Sequence, residues 1–217
     1  MDIPTNWTFQ DQDVAAGFER HVREQLPWYE LATGAVAHVA RHYIPERGVV
    51  YDLGAATGNI GRALAPTLRT RAATLISVEP SEEMAAQYSG PQPEGLVIHR
   101  AEEIDFQPYD VAIAFLTLMF IPLAARPALL DRLTAAMRPG GALIIFDKCE
   151  AHRGYPGTVL WRLALAGKLA TGVEPAEIVA KELSLSGVQR PLAPALLPGN
   201  AIEFFRFGEF AGWLIEA

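Results

Sequence analysis

Short, continuously apolar segments alternate with helical patterns through the middle of the chain, and this alternation constrains the fold more than any other feature. Strands are expected at 49–53, 74–78, 96–98, 110–115 and 142–146. Strands that are apolar along their whole length are buried on both faces, which is typical of a parallel sheet covered by helices. The pattern therefore predicts a Rossmann-like, doubly wound α/β fold with a mostly parallel sheet.

The two ends of the chain depart from this alternation. Before the first strand, helical spacing extends over residues 14–43 with an interruption at Pro27. After Asp147 the alternation stops, and two final strand-like runs flank Gly208 and Glu209. We therefore predict one domain over residues 1–217, with N-terminal helices in 1–44, the ligand-binding core in 45–149, a helical lid insertion in 150–200 and a terminal antiparallel hairpin in 201–217.

Composition narrows the functional class. The formal net charge is −7, and no run of five basic residues is present, which argues against a general nucleic-acid coat. No apolar run approaches the ~18–20 residues of a membrane span, and Met1 to Thr5 lacks the basic start of a signal peptide. Because Cys149 is the only cysteine, an intramolecular disulfide and a cysteine-based zinc site are excluded. We expect a cytoplasmic protein without a metal or a membrane partner, and leave a homodimer open.

The segment from Asp52 to Gly61 follows the first strand and opens a helix. Open parallel sheets bind ligands beyond the carboxyl ends of their strands, where small residues let the backbone approach a ligand. Gly54, Ala55 and Gly58 are the candidates for this approach. A dinucleotide fingerprint would need glycines at the third and sixth positions from Gly54. Those positions are Ala56 and Asn59, so an NAD-dependent oxidoreductase is disfavoured.

Two carboxylates follow neighbouring strands and suggest a ligand with two different ends. Asp52 stands two residues before Gly54, where a carboxylate suits a cationic group such as an amine. Glu79 closes the second strand, where a carboxylate can accept hydrogen bonds from both hydroxyls of a ribose. Together they predict a ligand with an amino-acid end and a nucleoside end.

With these features the chain resembles the class I S-adenosylmethionine-dependent methyltransferases. The resemblance covers residues 45–147 and is carried by 52–58, 78–81, 100–103, 114–119 and 138–143. A closer resemblance, over residues 9–215, is to carboxy-S-adenosylmethionine-dependent tRNA uridine carboxymethyltransferases. It is carried by Leu26-Pro27-Trp28-Tyr29, Leu116-Thr117-Leu118-Met119-Phe120 and Pro139-Gly140-Gly141-Ala142-Leu143.

The resemblance implies further cofactor-binding residues. Pro80, Met84, Ala101 and Glu102 would surround the adenosine end. Phe115, Leu116 and Thr117, after the fourth strand, would face the methionine end and the substrate. Tyr29 and Arg23 match a family pattern of an arginine followed by Pro-x-Tyr, in which they would contact the cofactor carboxylate.

The cofactor implied is S-adenosylmethionine, with carboxy-S-adenosylmethionine as the alternative. The carboxymethyltransferases carry an arginine, which reads the extra carboxylate, just after a lysine. Here Glu182 follows Lys181, and a glutamate would repel that carboxylate. We therefore expect methyl transfer to a small-molecule or tRNA acceptor, and keep carboxymethyl transfer to tRNA and a non-catalytic cofactor-binding partner as alternatives.

The implied chemistry is direct displacement on the cofactor, in which the protein supplies position and a dry pocket. No catalytic base is identified. His38 and His42 lie four residues apart without a third ligand, so a metal site is not expected. His152, Arg153 and Tyr155 form the one cluster expected near a substrate entrance.

Overall fold

The computed structural model describes residues 3–217. Met1 and Asp2, the first two residues of the segment predicted not to be a signal peptide, lie outside the described residues. Seven strands and seven α-helices make up the framework. The strands are β1 (Val49–Leu53), β2 (Thr74–Val78), β3 (Leu96–Val97), β4 (Tyr109–Phe115), β5 (Met137–Lys148), β6 (Ile202–Phe207) and β7 (Phe210–Glu216). The helices are α1 (Gln12–Gln25), α2 (Tyr29–Ala40), α3 (Asn59–Arg71), α4 (Glu82–Ala86), α5 (Arg126–Ala136), α6 (Tyr155–Ala170) and α7 (Pro175–Ser184).

All seven strands form one sheet in the order β3-β2-β1-β4-β5-β7-β6. The first five strands pair in parallel, whereas β7 is antiparallel to both β5 and β6. The predicted mostly parallel α/β sheet with a terminal antiparallel hairpin is confirmed. Since strand order reverses beside β1, the carboxyl ends of β1 and β4 flank the crevice in which such sheets bind ligands.

Helices cover both faces of the sheet, and alternate strand residues contribute to two separate cores. Val50, Ile113 and Ile144 pack with α2 and α3 on one face, whereas Leu53, Ala112 and Ile145 pack with α5 on the other. A strand buried on both faces must be apolar at every position. This explains why β4 is buried from end to end.

Individual residues determine where the two N-terminal helices begin and end. The Asp11 carboxylate caps α1 by accepting from the backbone N–H groups of Asp13 and Val14. Pro27 lacks an N–H and separates α1 from α2. Along α2 the fully buried Ala32, Val36 and Ala40 recur at a spacing of four and face the core.

The 150–200 segment is attached to the sheet by a few specific contacts. In α6 only Gly157 is buried, and Tyr155, Trp161 and Leu169 are exposed. The backbone of Leu192 forms a bridge with Cys149 at the end of β5. Arg126, fully buried at the start of α5, donates to the carbonyl oxygens of Ile121, Pro191 and Arg190.

Three strands differ from the expected bounds, β4 only by beginning one residue earlier, at Tyr109. The structure places the start of β5 at Met137 instead of 142, because Tyr109 pairs with Met137 before a register shift at Pro139-Gly140-Gly141. The third strand is only two residues long, since it pairs with β2 at the edge of the sheet. Among residues 3–217, no helix is both long and apolar enough to cross a membrane.

Candidate functional site

A cavity of about 570 Å³ opens at the carboxyl ends of β1, β2 and β4. Its walls come from the loops after these strands, from α1, and from the 150–200 segment. Twelve of the fourteen predicted cofactor-binding residues line it. They are Tyr29, Asp52, Gly54, Ala55, Glu79, Pro80, Met84, Ala101, Glu102, Phe115, Leu116 and Thr117.

Gly54 lets the first loop turn against the fourth strand. Its φ of +68° is left-handed, and a Cβ atom there would lie 2.6 Å from Oγ1 of Thr117. The N–H groups of Gly54 and Ala55 both donate to the carbonyl oxygen of Val78, at 2.8 and 3.0 Å. The loop after β1 is thereby fixed to the end of β2, which brings Asp52 and Glu79 to one cavity.

Gly58 and Arg23 do not line the cavity. Gly58, with φ of +90°, caps α3, and a Cβ atom there would lie 2.5 Å from the backbone nitrogen of Gly90. The absence of a side chain at Gly58 therefore allows this loop to pack against the loop that contains Gly90. Gly58 itself does not face the cavity. Arg23 is held by Glu19 and Glu30, and its guanidinium carbon lies 5.7 Å from the Tyr29 ring centroid. This arrangement leaves Arg23 no position on the cavity wall.

Glu79 is buried and rigidly held. Its Oε2 accepts from the backbone N–H of Ala56 at 2.8 Å, and its Oε1 accepts from the N–H of Ser81 at 3.0 Å. Burial raises the pKa of this carboxyl, while the two N–H donors act in the opposite direction. Each oxygen keeps lone-pair capacity for a further donor.

Asp52 is fully buried, and its Oδ2 has no hydrogen-bond partner. Burial, with a smaller contribution from the charge of Glu79, raises the pKa of Asp52 to about 7. An unpartnered buried carboxylate oxygen is costly unless a cation or donor satisfies it. The site is therefore suited to a cationic group beside Asp52.

The loop after β4 forms the wall opposite the glycine loop. Leu116 adopts a left-handed φ of 57°, and Thr117 donates through Oγ1 to the carbonyl oxygen of Leu53 at 2.7 Å. Asp147 accepts from the N–H of Met119 at 3.2 Å through Oδ2. Burial raises the pKa of Asp147 to about 7. These contacts fix Phe115 against the Tyr29 ring, with centroids 5.5 Å apart.

A strap formed by residues 7–10 closes the cavity together with α1 and α7. Trp7 donates its backbone N–H to Ser184 at 3.0 Å, and the Ser81 hydroxyl donates to the carbonyl oxygen of Phe9 at 2.6 Å. Gln25 of α1 donates to Glu177 of α7 at 2.9 Å. The cavity cover thus joins residues 7–25 to Ser81 and to α7, which are distant in the sequence.

The polar residues of this cover were missed by sequence reasoning. They have no shared motif, because they come from the strap, α1, β5, α6 and α7. One signal was available: the chain contains three lysines, all after residue 147. The missed cavity residues are Trp7, His21, Gln25, Lys148, Lys168 and Lys181.

Glu182, singled out in the sequence, is paired with two of these lysines. Its carboxylate lies 3.7 Å from Nζ of Lys148 and 3.3 Å from Nζ of Lys168. These cations hold the pKa of Glu182 below its usual value against the opposing effect of burial. The two ammonium groups therefore largely offset the repulsion between Glu182 and the extra carboxylate of carboxy-S-adenosylmethionine. Glu182 alone does not argue against that cofactor.

Other candidate groups lie away from the cavity or are inert. His152 and Tyr155 line a separate surface depression with Pro156, Val159 and Leu160. Burial raises the pKa of Cys149 to about 12, so its thiol stays protonated. Within residues 3–217, no group of three or more His, Cys, Asp or Glu side chains could hold a metal ion.

Comparisons of the chain with known proteins agree on one family. A methyltransferase-domain family model matches residues 51–143. The carboxy-S-adenosyl-L-methionine synthase of Chromohalobacter salexigens is 30% identical over 198 residues, covering 88% of this chain and 73% of that protein. The synthase of the same name from Staphylococcus epidermidis is 24% identical over 192 residues, covering 87% and 84%.

Solved structures are similar in fold at low sequence identity. A Nostoc punctiforme protein assigned as an O-methyltransferase superposes with a TM-score of 0.60 at 13% identity, over 94% of this chain and 58% of that one. A Methanococcus maripaludis protein assigned as an S-adenosylmethionine-dependent methyltransferase gives a TM-score of 0.59 at 11% identity, over 99% and 97%. At these identities the likeness concerns the fold alone.

Proposed function

The chain belongs to the class I S-adenosylmethionine-dependent methyltransferases, and from this premise we propose that its cavity holds the cofactor and a small-molecule methyl acceptor. One observation carries the proposal. Asp52 and Glu79, two buried carboxylates at the ends of neighbouring strands, open into the same cavity. A cofactor with a cationic amino-acid end and a ribose matches this pair.

The described residues fit such a cofactor. The unpartnered Oδ2 of Asp52 provides an acceptor for an ammonium group. Glu79, oriented by the N–H groups of Ala56 and Ser81, would accept from the ribose hydroxyls. Met84, which is 1% exposed and lines the cavity, would cover the adenine with Pro80 and Ala101.

When bound, S-adenosylmethionine supplies an electrophilic methyl group on a sulfonium. The contribution of the protein is orientation and exclusion of water. Phe115 and Tyr29 form an apolar wall, and an aromatic face beside a cation is favourable. The bond from Thr117 to Leu53 fixes the distance between the two loops that would enclose the reacting groups.

We further propose that residues 1–217 act as one domain in which the 150–200 segment is a lid. Trp161, Lys168 and Lys181 of this segment line the cavity, so a bound ligand would contact it. The segment would then exclude water and select the acceptor.

A second candidate is a reaction that makes or uses carboxy-S-adenosylmethionine. The names of the relatives favour it, and the pairing of Glu182 with Lys148 and Lys168 removes one objection. Mass spectrometry of the ligand that co-purifies with the protein separates the candidates, because the carboxylated cofactor is heavier by a carboxyl group. Carboxy-S-adenosylmethionine as the bound species would replace the proposed methyl transfer.

The cofactor assignment is tested by titration calorimetry with S-adenosylhomocysteine. We expect Asp52→Asn and Glu79→Gln each to weaken binding by about 1.5–3 kcal/mol, the scale of a hydrogen bond to a charged group. Glu103→Gln is the matched control, because Glu103 is an exposed carboxylate outside the cavity. Unchanged affinity in both cavity variants would refute the assignment.

A further inference from the structure

The lysines of this chain are concentrated at one place. The protein has three lysines among 18 basic residues, and all three, Lys148, Lys168 and Lys181, line the cavity. They come from β5, α6 and α7, so the fold and not the sequence brings them together. Lysine ammonium groups are common ligands of carboxylates and phosphates.

Two of the lysines already have carboxylate partners. Lys148 lies 3.7 Å from Glu182 and 3.9 Å from Glu209, and Lys168 lies 3.3 Å from Glu182. Within residues 3–217, no carboxylate lies within 4.0 Å of the Lys181 ammonium. Lys181 is therefore the one of these three lysines without a direct carboxylate partner among the described residues.

Lys181 is 8% exposed, and its ammonium lies over the ring of Trp7. The ring face attracts a cation but offers no acceptor for the three N–H groups. A buried ammonium without an anion is costly, because burial removes its hydration. A ligand that carries an anion would relieve this cost.

Other polar groups that line the same cavity also lack partners. Nε1 of Trp7, both ring nitrogens of His21 and Oε1 of Gln25 are buried without hydrogen-bond partners. The rings of Trp7 and His21 stack with centroids 5.4 Å apart. The Trp7 N–H and the N–H of a neutral His21 are donors, so two of these groups can assist Lys181 in holding an anion.

The cofactor end of the cavity has the opposite charge. Asp52 and Glu79 lie there, and S-adenosylmethionine carries a sulfonium and an ammonium besides the carboxylate of its methionine part. The cavity wall also includes the aromatic side chains of Phe9, Phe18 and Phe120, and the Phe9 ring packs edge-on against the other two rings and that of Trp7. A second ligand would therefore meet apolar rings and the amine of Lys181 in the same cavity.

We propose that Lys181 is the counter-ion for a carboxylate of the methyl acceptor, which makes the acceptor a small anionic molecule with an apolar body. This inference rests on the proposed function, and adds the substrate class. The negative charge belongs to the acceptor, so the transferred group can be an uncharged methyl group. A carboxylate on the cofactor itself would be the same chemistry from another source, which the experiment distinguishes.

The charge state of Lys181 should respond to such a ligand. Burial, with a smaller contribution from Lys168, lowers the pKa of Lys181 to about 6. The other facing groups are Glu182, which opposes this shift, and His21, whose pKa is lowered to about 4 by burial and by Lys181 itself. At pH 7.5 the free amine is therefore largely neutral, and an anion bound beside it raises its pKa and causes proton uptake.

The experiment uses the intact protein saturated with S-adenosylhomocysteine and labelled with ¹³Cε-lysine, which gives three lysine signals. The probe pair is benzoate and benzamide, which share an apolar body but differ in charge. We expect benzoate, and not benzamide, to raise the pKa read from the Lys181 signal. If the pKa of Lys181 is unchanged at saturating benzoate, the proposal is wrong. This measurement uses the wild-type protein, so it does not depend on whether any variant folds.

Variants supply the second readout. We expect Lys181→Met to weaken benzoate binding at least about tenfold, the lower end of a charge-assisted hydrogen bond, without changing benzamide binding. Arg162→Met is the control, because Arg162 is exposed and outside the cavity. Equal benzoate affinity in the wild type and Lys181→Met would overturn the proposal.

Two further results separate the sources of failure. If carboxy-S-adenosylmethionine binds more tightly than S-adenosylmethionine and Lys181→Met abolishes this difference, the anion belongs to the cofactor and the acceptor assignment is wrong. If S-adenosylhomocysteine does not bind, the proposed function fails before the acceptor is tested. Tight binding of S-adenosylhomocysteine without a benzoate preference rejects the acceptor class alone.

Discussion

The two sides of the cavity are built by different means. On the cofactor side, Asp52 and Glu79 are fixed by strand ends and backbone hydrogen bonds, and β4 behind them is completely buried. On the opposite side, α6 buries one residue of its sixteen and exposes several large apolar side chains. From this difference we expect the wall with Asp52 and Glu79 to be rigid and the wall contributed by α6 to be adjustable.

The largest effect is expected where the two sides are joined. Arg126 binds three carbonyl oxygens, two of which belong to the 150–200 segment. Arg126→Met should lower the free energy of unfolding by about 3 kcal/mol or more, because hydrogen bonds of a buried charged donor are lost and the carbonyls remain unsatisfied. Urea denaturation measures this change. Arg162→Met serves as control, and a loss as small as that of the control would show that the sides are joined by other contacts.

Hydrogen exchange compares the sides directly. Without ligand, amides in 150–200 should exchange faster than those in β4, because α6 buries few side chains. If a local opening of this segment requires release of the ligand, S-adenosylhomocysteine at 100 times its dissociation constant should raise the free energy of that opening by about 2.7 kcal/mol. Mass spectrometry of the exchanged peptides measures both rates. Equal exchange of residues 150–200 in the two states would mean that this wall is as fixed as the other.

The pH dependence of cofactor binding examines the rigid side. Asp52, with a pKa of about 7, must be ionised to pair with an ammonium group. The affinity for S-adenosylhomocysteine should therefore decrease as the pH falls below 7. The decrease should approach a factor of ten for each pH unit, which corresponds to about 1.4 kcal/mol of binding free energy. Calorimetry at pH 5.5 and 7.5 measures the fall, which Asp52→Asn should remove. If the affinity of Asp52→Asn decreases by the same factor, the pH dependence arises from another titrating group.

The smallest effect concerns strain in the loop beside Glu79. Ala56 has φ of 48°, which costs a residue with a Cβ atom up to about 1–2 kcal/mol. Ala56→Gly should stabilise the protein by no more than about 1 kcal/mol, since glycine also gains freedom in the unfolded chain. Ala72, which has the same φ at the end of α3, is the matched site. Both glycine variants should unfold at higher urea concentration, and only Ala56→Gly should alter cofactor affinity.

The sequence allowed the rigid side to be predicted, because that side is built from local signals. Asp52 and Glu79 each stand at the end of an apolar strand, and the glycines at 54 and 58 follow the first of them. The sheet and its terminal hairpin could likewise be predicted from apolar runs. The position of Arg23 could not, since the ion pairs that hold it away from the cavity depend on the distance between α1 and α2 in the folded protein.

The adjustable side could not be predicted for a related reason. Trp7, His21 and Lys181 lie far apart in the chain, and each is ordinary in its own helix or loop. Only the packing of the strap, α1 and α7 places them around one space. The early start of β5 at Met137 was missed because Pro139, Gly140 and Gly141 are typical of turns, yet they continue the strand here.

The confinement of every lysine to the cavity has a practical consequence for chemical labelling and proteolysis. Apart from the chain terminus, amines that react with acylating reagents exist only at Lys148, Lys168 and Lys181, which are all largely buried. Such reagents therefore act as probes of the cavity, and ligands should protect the protein from them. A lysine-specific protease can cut only at these three positions, so we expect its rate of cleavage to report local opening around them.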